Sequence, residues 1–369
     1  MSIKGGPKIE TDGLVLYYDV DNIDSYPGEP TTNIATSQTM FSHNGHGVMT
    51  FSDAPERGTD WKKVNITHRG NDFRITQMPY NTQPDGTTHA FSIEIDWGTT
   101  SGYYVQGDGS TGFSITGNTS DWPHGTYTNS SGGNRVEALF LYNQTYDVDV
   151  DDTIYYRYYQ VEVKSHSTPY TSGTRSTTNG LKDLSGQGNH GDLANATYDS
   201  SALIDYDGST SSVDCGNASS LNVTSITVTA WIYPNTISEK VVLDKQYSTA
   251  WEFGIYNGYN VHVNAKEGGT YYSHLMNAGG GVIQSAWNYI VWSYDETTGI
   301  NRTYANGVLT NEITKSGVLS TNASNCKIGS RGASLQFDGK IDLVQIYDNA
   351  LTSKEILDNY NAQKSRFGK

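Results

Sequence analysis

The sequence has little of what defines several common classes of protein. Its 369 residues include two cysteines, too few for a disulfide framework, so Cys215 and Cys326 are expected to be buried free thiols. No stretch approaches eighteen consecutive apolar residues, which excludes a membrane-spanning helix. The first residues lack the apolar core of a secretory signal peptide. Basic residues number 24 against 39 acidic ones, and the net charge of −15 argues against nucleic acid as a partner.

Glycine, tyrosine and small polar residues are abundant instead. With 39 glycines, 27 tyrosines and 17% charged residues, the composition is typical of loop-rich β structure. The length allows two domains, each with its own core. In residues 226–232 apolar residues alternate with threonines, which predicts a strand with one face in a core. Asn257-Gly258 and Asn306-Gly307 each predict a two-residue hairpin turn.

The end of the sequence predicts a strand followed by one capped helix. Asp338-Gly339 has the composition of a tight turn, and residues 341–347 are rich in strand-forming residues. Thr352 or Ser353 can cap a helix with an apolar stripe. This order resembles the last strand and closing helix of concanavalin A-like (laminin G type) jelly rolls. Residues 360–369 resemble the ending that such domains carry in tailed-phage structural proteins.

The same resemblance divides the sequence into two domains. Residues 13–22 and the loop at 183–191 resemble two halves of one signature, but about 150 residues separate them, the size of an ordinary domain. We therefore expect an all-β protein in which residues 1–30 and 179–369 form one discontinuous concanavalin A-like sandwich. Residues 31–178 are expected to form an inserted jelly roll, whose last strand and exit resemble those of carbohydrate-binding modules.

Aromatic residues of the second half are candidates for stacking against sugar rings. The candidates for a carbohydrate-binding platform are Trp251, Tyr256, Tyr259, Tyr271 and Tyr272. Most aromatic residues of a β-sandwich lie in its core, so core packing is the alternative interpretation for each of them.

Asp207 and Asp342 are the candidates for a metal site. Asp207 stands in a segment that resembles the "FDG" corner of the family, and the resemblance implies calcium at this rim. Asp342 shares a strand face with inward residues, so its carboxylate must be paired, hydrogen-bonded or bound to a metal. Ser211 or Ser212 replaces the second acid that relatives often carry. A hydrogen-bonded corner without Ca²⁺ is therefore the alternative.

Glu94 and Asp96 are the strongest signal for an enzyme. Glycoside hydrolases with the concanavalin A-like fold carry a further acid on the same strand, so that two carboxylates flank the glycosidic bond. Here Thr99 and Thr100 stand in its place, and the segment lies in the other domain. We expect no catalytic residues and no enzymatic activity, with Glu94 and Asp96 on the outward face of a strand.

The resemblance leads to an expected function. The chain is expected to be a non-enzymatic structural protein on the virion surface of a tailed phage, as capsid decoration, head fibre or tail fibre. It would bind host or surface glycans weakly and contact other virion proteins, or copies of itself in a homo-oligomer. The alternative is a secreted bacterial carbohydrate-binding or adhesin protein, which a signal peptide would favour.

Overall fold

The structure is a computed structural model, and contacts within it divide the chain into two compact units. Unit 1 consists of Met1–Glu29 and Ser176–Lys369, and unit 2 of Pro30–Arg175. The described residues are 8–35, 49–66, 74–75, 86–96, 98, 103–107, 114–115, 124–128, 139–143, 153–198, 203–256, 260–272, 281–315, 317–332 and 334–369. Within them no helix is long and apolar enough to cross a membrane.

Strands are numbered in chain order. Those up to the end of unit 2 are β1 (Leu14–Asp19), β2 (Thr31–Thr32), β3 (Met49–Asp53), β4 (Lys62–Ile66), β5 (Arg74–Ile75), β6 (Thr88–Asp96), β7 (Tyr103–Gly107), β8 (Ser114–Ile115), β9 (His124–Thr128), β10 (Leu139–Asn143), β11 (Thr153–Glu162) and β12 (Thr174–Arg175). Those that follow are β13 (Asp192–Ala194), β14 (Thr197–Tyr198), β15 (Ile204–Asp207), β16 (Ser212–Asp214), β17 (Ile226–Pro234), β18 (Lys240–Asp244), β19 (Trp251–Tyr256), β20 (Asn260–Glu267), β21 (Thr270–Tyr272), β22 (Asn288–Asp295), β23 (Ile300–Ala305), β24 (Val308–Thr314), β25 (Lys327–Ile328) and β26 (Asp338–Tyr347). The α-helix is α1 (Ser353–Gln363), and short 3-10 helices cover Pro55–Arg57, Ser219–Leu221 and Lys364–Phe367.

Unit 1 is a sandwich of two antiparallel sheets. The first sheet has the order β14–β15–β26–β17–β22–β23–β24, with β1 also paired to β26. The second sheet has the order β13–β16–β25–β18–β19–β20–β21. Alternate residues of β17 enter the core between the sheets, as the sequence pattern predicted: Ile226, Val228, Ala230 and Ile232. The expected fold class, nearly all-β jelly-roll sandwiches with one short C-terminal helix, is confirmed.

The first strand of unit 1 precedes unit 2 in the chain but pairs with the last strand of unit 1. In this pairing Leu16 lies opposite Ile346 in β26. Asp183 accepts a 2.9 Å hydrogen bond from the Tyr17 N–H, and Asn189 donates one of 2.7 Å to the Val15 carbonyl. The loop at 183–191 is therefore bound directly to β1, which brings the two halves of the split signature together.

Helix α1 covers the outer face of the first sheet. Thr352 caps it through a capping box with Glu355. Behind it, Phe367 stacks on Trp231 with ring centroids 4.0 Å apart, and Gln363 accepts a 2.7 Å hydrogen bond from the Trp231 indole. Because α1 and the segments flanking it cover this face, the polar residue Thr227 on the outer face of β17 is fully buried.

Turn predictions had mixed outcomes. Asn306 and Gly307 have φ of 52° and 80° and join β23 to β24, as predicted. The prediction of a turn at Asp338-Gly339 is wrong, because both residues begin β26 and pair with other strands. Gly339 is required there, since its φ is 132° and a Cβ would collide with the Tyr233 carbonyl. Asn257-Gly258 lies outside the described residues. Both cysteines are free and buried, as predicted.

Unit 2 contains antiparallel sheets with the orders β3–β4–β11–β6–β9 and β5–β10–β7–β8. In β6 the predicted apolar residues Phe91, Ile93 and Ile95 are buried, while Trp97 lies outside the described residues. A separate pair, β2 with β12, joins the two ends of the unit, with Thr32 opposite Thr174.

Candidate functional site

A row of polar side chains lies on the outer face of the second sheet of unit 1, away from the core. Along β19 the core positions, such as Trp251 and Phe253, alternate with positions on this outer face. Strand register places Asp244 of β18 and Asn264 of β20 directly opposite Glu252 on its two sides. Residues opposite each other in antiparallel strands share a face, so these three form one polar row.

Glu252 is the centre of the polar row and is 0% exposed. Both of its oxygens accept hydrogen bonds from the Arg331 guanidinium. Asn264 donates from Nδ2 to Oε1 at 2.9 Å, and His262 Nε2 lies 3.9 Å from the same oxygen. Burial lowers the pKa of Arg331, but the bonds and charge of Glu252 outweigh burial and raise it overall. The polar row is therefore anchored by a two-point charged contact.

Asp244 is the second acid of the row, and it is also buried. It is 6% exposed, and its Oδ1 accepts a 2.8 Å hydrogen bond from the Tyr247 N–H. Burial, and then the charge of Glu252, raise the pKa of Asp244 to about 6. Two neighbouring carboxylates are also what glycoside hydrolysis uses. However, Glu252 is closed to solvent with both oxygens bound, so it cannot reach a glycosidic bond.

Three half-buried tyrosines flank the polar row, and we call them the tyrosine rim: Tyr247, Tyr256 and Tyr271. The Arg331 guanidinium lies 4.1 Å from the centre of the Tyr247 ring. Tyr271 meets Tyr247 edge to face with centroids 5.9 Å apart, and Tyr256 stacks on His262 at 5.2 Å. Half-buried tyrosines thus lie beside the partly exposed guanidinium of Arg331.

The structure separates the five predicted sugar-stacking residues. Tyr256 and Tyr271 belong to the tyrosine rim. The prediction for Trp251 is corrected, because its ring is buried in the core and presents no face to a ligand. Tyr272 packs against the same core, on the side opposite Tyr271, because neighbouring residues of a strand point to opposite faces. Tyr259 lies outside the described residues.

Sequence reasoning missed Tyr247 and the polar row. A signal was present, because Glu252 and Asn264 stand at alternate positions of strands whose other positions are apolar. Polar residues in that pattern mark the second face of a sheet. Arg331 could not be found in this way, because it is 79 residues from Glu252 along the chain.

Asp207, the first candidate calcium ligand, closes a turn. Its Oδ1 accepts hydrogen bonds of 2.7–2.9 Å from the backbone N–H groups of Ser209, Thr210 and Ser211. Burial raises the pKa of Asp207, but these bonds outweigh burial and hold it well below the ordinary range. The Asp207 carboxylate therefore closes a hydrogen-bonded corner.

Asp342, the second candidate, is held by an arginine. Arg366 donates 2.6 Å hydrogen bonds to Asp342 and to Asp19. Burial raises the pKa of Asp342 to about 6, and the charge of Arg366 partly offsets the effect. Asp207 pairs with Asp338, four positions and about 13 Å along β26 from Asp342. These two residues do not fit one calcium ion, and no group of three or more metal-binding side chains occurs among the described residues.

Glu94 and Asp96 lie in ion pairs on unit 2. Glu94 accepts two hydrogen bonds from Arg157, of 2.8 and 2.9 Å, and Asp96 pairs with Arg57. Both acids alternate with buried residues of β6, so they occupy the outward face of the strand. The threonines of this motif, Thr99 and Thr100, lie outside the described residues.

A match to one protein family agrees with the fold of unit 1. Residues 207–357 match the sequence model of the concanavalin A-like lectin/glucanases superfamily, and the polar row, Arg331 and the tyrosine rim all lie within them. No curated protein sequence is a significant match.

Three solved structures illustrate the structural likeness. Domain 4 of AbnA, a GH43 extracellular arabinanase from Geobacillus stearothermophilus in complex with arabinotriose, is 18% identical with a TM-score of 0.39, over 50% of this chain and 94% of that one. The CBM40 of a Ruminococcus gnavus IT-sialidase bound to α2,3 sialyllactose is 19% identical with a TM-score of 0.32, over 37% and 82%. The binding domain of botulinum neurotoxin serotype D is 18% identical with a TM-score of 0.39, over 50% and 49%.

Proposed function

We propose that unit 1 is a glycan-binding domain that uses Arg331 and the tyrosine rim, while the buried polar row holds Arg331 in place. The observation that carries the proposal is the Glu252–Arg331 pair with Tyr247 packed against the guanidinium. A guanidinium such as that of Arg331, whose side chain is 19% exposed, can hydrogen-bond to sugar hydroxyls, while aromatic rings pack against the apolar faces of sugars. The match of residues 207–357 to a superfamily of lectins and glucanases supports the proposal.

The site is suited to binding rather than to hydrolysis. A retaining or inverting glycosidase needs one carboxyl group to protonate the leaving oxygen and a second to act on the opposite side of the sugar. Asp244 could exchange a proton near neutral pH. Glu252, which would be its partner, is fully buried and holds Arg331 with both oxygens.

Substitutions in the tyrosine rim test the site. Tyr247→Ala and Tyr271→Ala should each weaken binding to glycan arrays about tenfold, because one stacked ring contributes on the order of 1 kcal/mol. Tyr271→Phe keeps the ring and serves as the matched control, so it should bind like the parent chain. Arrays that bind the parent and both alanine variants equally, or that never bind the chain, would refute the site.

We further propose that the chain acts on the virion surface of a tailed phage, as capsid decoration, head fibre or tail fibre. The resemblance of residues 360–369 to the endings of such virion proteins supports this setting. One open sheet face binds weakly, and repetition on a particle raises avidity by ~10²–10⁴ where geometry allows. Its partners would be other virion proteins, surface glycans and copies of itself.

Mass spectrometry of purified phage particles tests whether the protein is a component of the virion. The protein should be a stoichiometric component of the particles, and intact particles should bind glycan arrays more strongly than the isolated chain does. Recovery of the protein only from the medium of uninfected bacteria would favour the secreted adhesin instead.

A further inference from the structure

The two cysteines of the chain lie next to each other in the core of unit 1. Strands β16 and β25 are antiparallel neighbours in the second sheet, and Asp214 lies opposite Lys327. The next position along this register places Cys215 opposite Cys326. Both cysteines belong to the core between the sheets and are 3% and 0% exposed. The fold therefore brings two distant positions of the sequence together on one face of one sheet.

Backbone hydrogen bonds hold the strands together at the cysteines themselves. The Cys215 N–H donates a 2.9 Å bond to the Cys326 carbonyl, and the Cys326 N–H donates a 2.8 Å bond to the Gly216 carbonyl. Hydrogen-bonded partners in antiparallel strands have Cα atoms about 5.5 Å apart. Disulfides join residues whose Cα atoms are about 4.4–6.8 Å apart, so the backbone already has the spacing that a cross-link requires.

Side-chain contacts also join the segments that flank the two cysteines. Asn325 donates hydrogen bonds of 2.9 and 3.0 Å to the two oxygens of Asp214. Asn217 donates from Nδ2 to the Ala323 carbonyl. These contacts link the same two segments as the backbone bonds do, so they keep the cysteines in register.

The two thiols are in hydrogen-bond contact, and this contact limits their reactivity in the folded chain. The hydrogen bond with Cys326, and then burial, raise the pKa of the Cys215 thiol well above its ordinary value. Such a thiol forms little thiolate, which is the form that attacks a disulfide. The folded, reduced pair should therefore react slowly, whereas the same cysteines are accessible in a chain that has not yet buried them.

We propose that Cys215 and Cys326 form an intramolecular disulfide when the chain folds in the presence of a low-molecular-weight disulfide, and stay thiols when it folds in a reducing medium. One cysteine thiolate attacks the small disulfide, which gives a mixed disulfide and releases one small thiol. The other cysteine thiolate attacks the protein sulfur of the mixed disulfide and releases the second small thiol. The two cysteines are oxidised, the small disulfide is reduced, and the two cysteine protons end on the released thiols.

The disulfide would close a loop that contains most of the sandwich. About 110 residues lie between the two cysteines, and they include all strands from β17 to β24. Closing a loop of this length restricts the unfolded chain more than the folded one, so the oxidised protein should be the more stable form. The cross-link involves neither Arg331 nor the tyrosine rim, so its test is independent of glycan binding.

Cell-free synthesis of the full chain tests the proposal. One reaction contains a glutathione redox buffer, and the other contains an excess of dithiothreitol. The soluble chain from each is alkylated with iodoacetamide in urea and measured by mass spectrometry. The chain from the glutathione reaction should carry no alkyl group and be lighter by two hydrogen atoms than the reduced chain, which should carry two alkyl groups. The oxidised form should melt about 5–10 °C higher.

Cys215→Ala is the matched control, because it removes one thiol and leaves a small apolar side chain in the core. It should melt at the same temperature from both reactions. Two alkyl groups on the parent from the glutathione reaction, a disulfide-linked dimer on a non-reducing gel, or a stable adduct with glutathione would overturn the proposal. Loss of soluble parent in that reaction, with Cys215→Ala still soluble, would overturn it as well. Rapid oxidation of the folded, reduced parent by the same buffer would contradict the dependence on folding.

Discussion

Each unit contains an arginine that donates two hydrogen bonds to a glutamate and packs against an aromatic ring. The two arginine–glutamate pairs differ in how deeply they are buried. In unit 1 Glu252 is 0% exposed and the Arg331 side chain 19%. In unit 2 Glu94 is 19% exposed and Arg157 28%. A buried pair that loses one partner leaves an uncompensated charge, whereas an exposed pair returns to water. The same chemistry is therefore a structural anchor in unit 1 and a surface feature in unit 2.

The largest effect is expected when the buried pair is broken. Arg331→Met should lower the free energy of unfolding of unit 1 by about 3–5 kcal/mol, because Glu252 stays buried without its cation. Urea unfolding followed by tryptophan fluorescence measures the change. The double variant Arg331→Met with Glu252→Gln should recover much of the loss. A loss below about 1 kcal/mol would show that the pair is no anchor.

A smaller effect is expected at Asp244, and it depends on pH. The pKa of Asp244 is about 6, above the ordinary value of 3.8, so the folded protein holds this proton more tightly than the unfolded chain. The stability that results is complete below pH ~4 and is lost as the pH rises through 6. Asp244→Asn cannot ionise, so it should be more stable than the parent by about 1–3 kcal/mol at pH 8.

The control for Asp244→Asn is the same comparison at pH 4, where the difference in free energy of unfolding should vanish. Thermal melting across this pH range measures both. A variant that is less stable than the parent at pH 8 would contradict the burial of an ionised acid beside Glu252.

At the exposed pair the expected change is smaller still. Arg157→Met should alter the free energy of unfolding by less than about 1 kcal/mol, since solvent screens Glu94. When both variants are measured under the same conditions, their losses in free energy of unfolding compare the contributions of the two ion pairs directly. Equal losses at the two positions would remove the distinction between anchor and surface feature.

The smallest effect is expected from calcium. Arg366 already supplies the cation beside Asp342, so added CaCl₂ or EDTA should shift the melting temperature by less than about 1 °C. A saturable rise in melting temperature that Asp342→Asn abolishes would support calcium binding at Asp342, as predicted from the sequence.

Local patterns predicted much of the fold. Asn306-Gly307 determines its turn because both residues tolerate positive φ. Thr352 caps α1 through atoms within one helical turn. Asp338-Gly339 shows the limit, because the same dipeptide also serves at the start of a strand where Gly339 must approach the Tyr233 carbonyl closely. Only the tertiary structure distinguishes the two uses.

The candidate site was predicted less completely. Tyr271 and Tyr272 are neighbours of the same type, yet one lies on the tyrosine rim and the other against the core. Alternation shows that they differ in face but not which of them is outside, because that depends on the opposing sheet. The Glu252–Arg331 contact joins residues distant in the chain, so no local pattern contains it.

The pairing of β2 with β12 makes unit 2 a transferable module. Thr32 and Thr174 lie opposite each other, so their Cα atoms are about 5 Å apart. The two segments of unit 1 can therefore be joined across the same short gap by a whole domain or by a few residues. The entropic cost of closing the inserted loop grows only with the logarithm of the number of residues in it. Recombination can exchange such a module for another with adjoining ends while the strands of the sandwich stay unchanged.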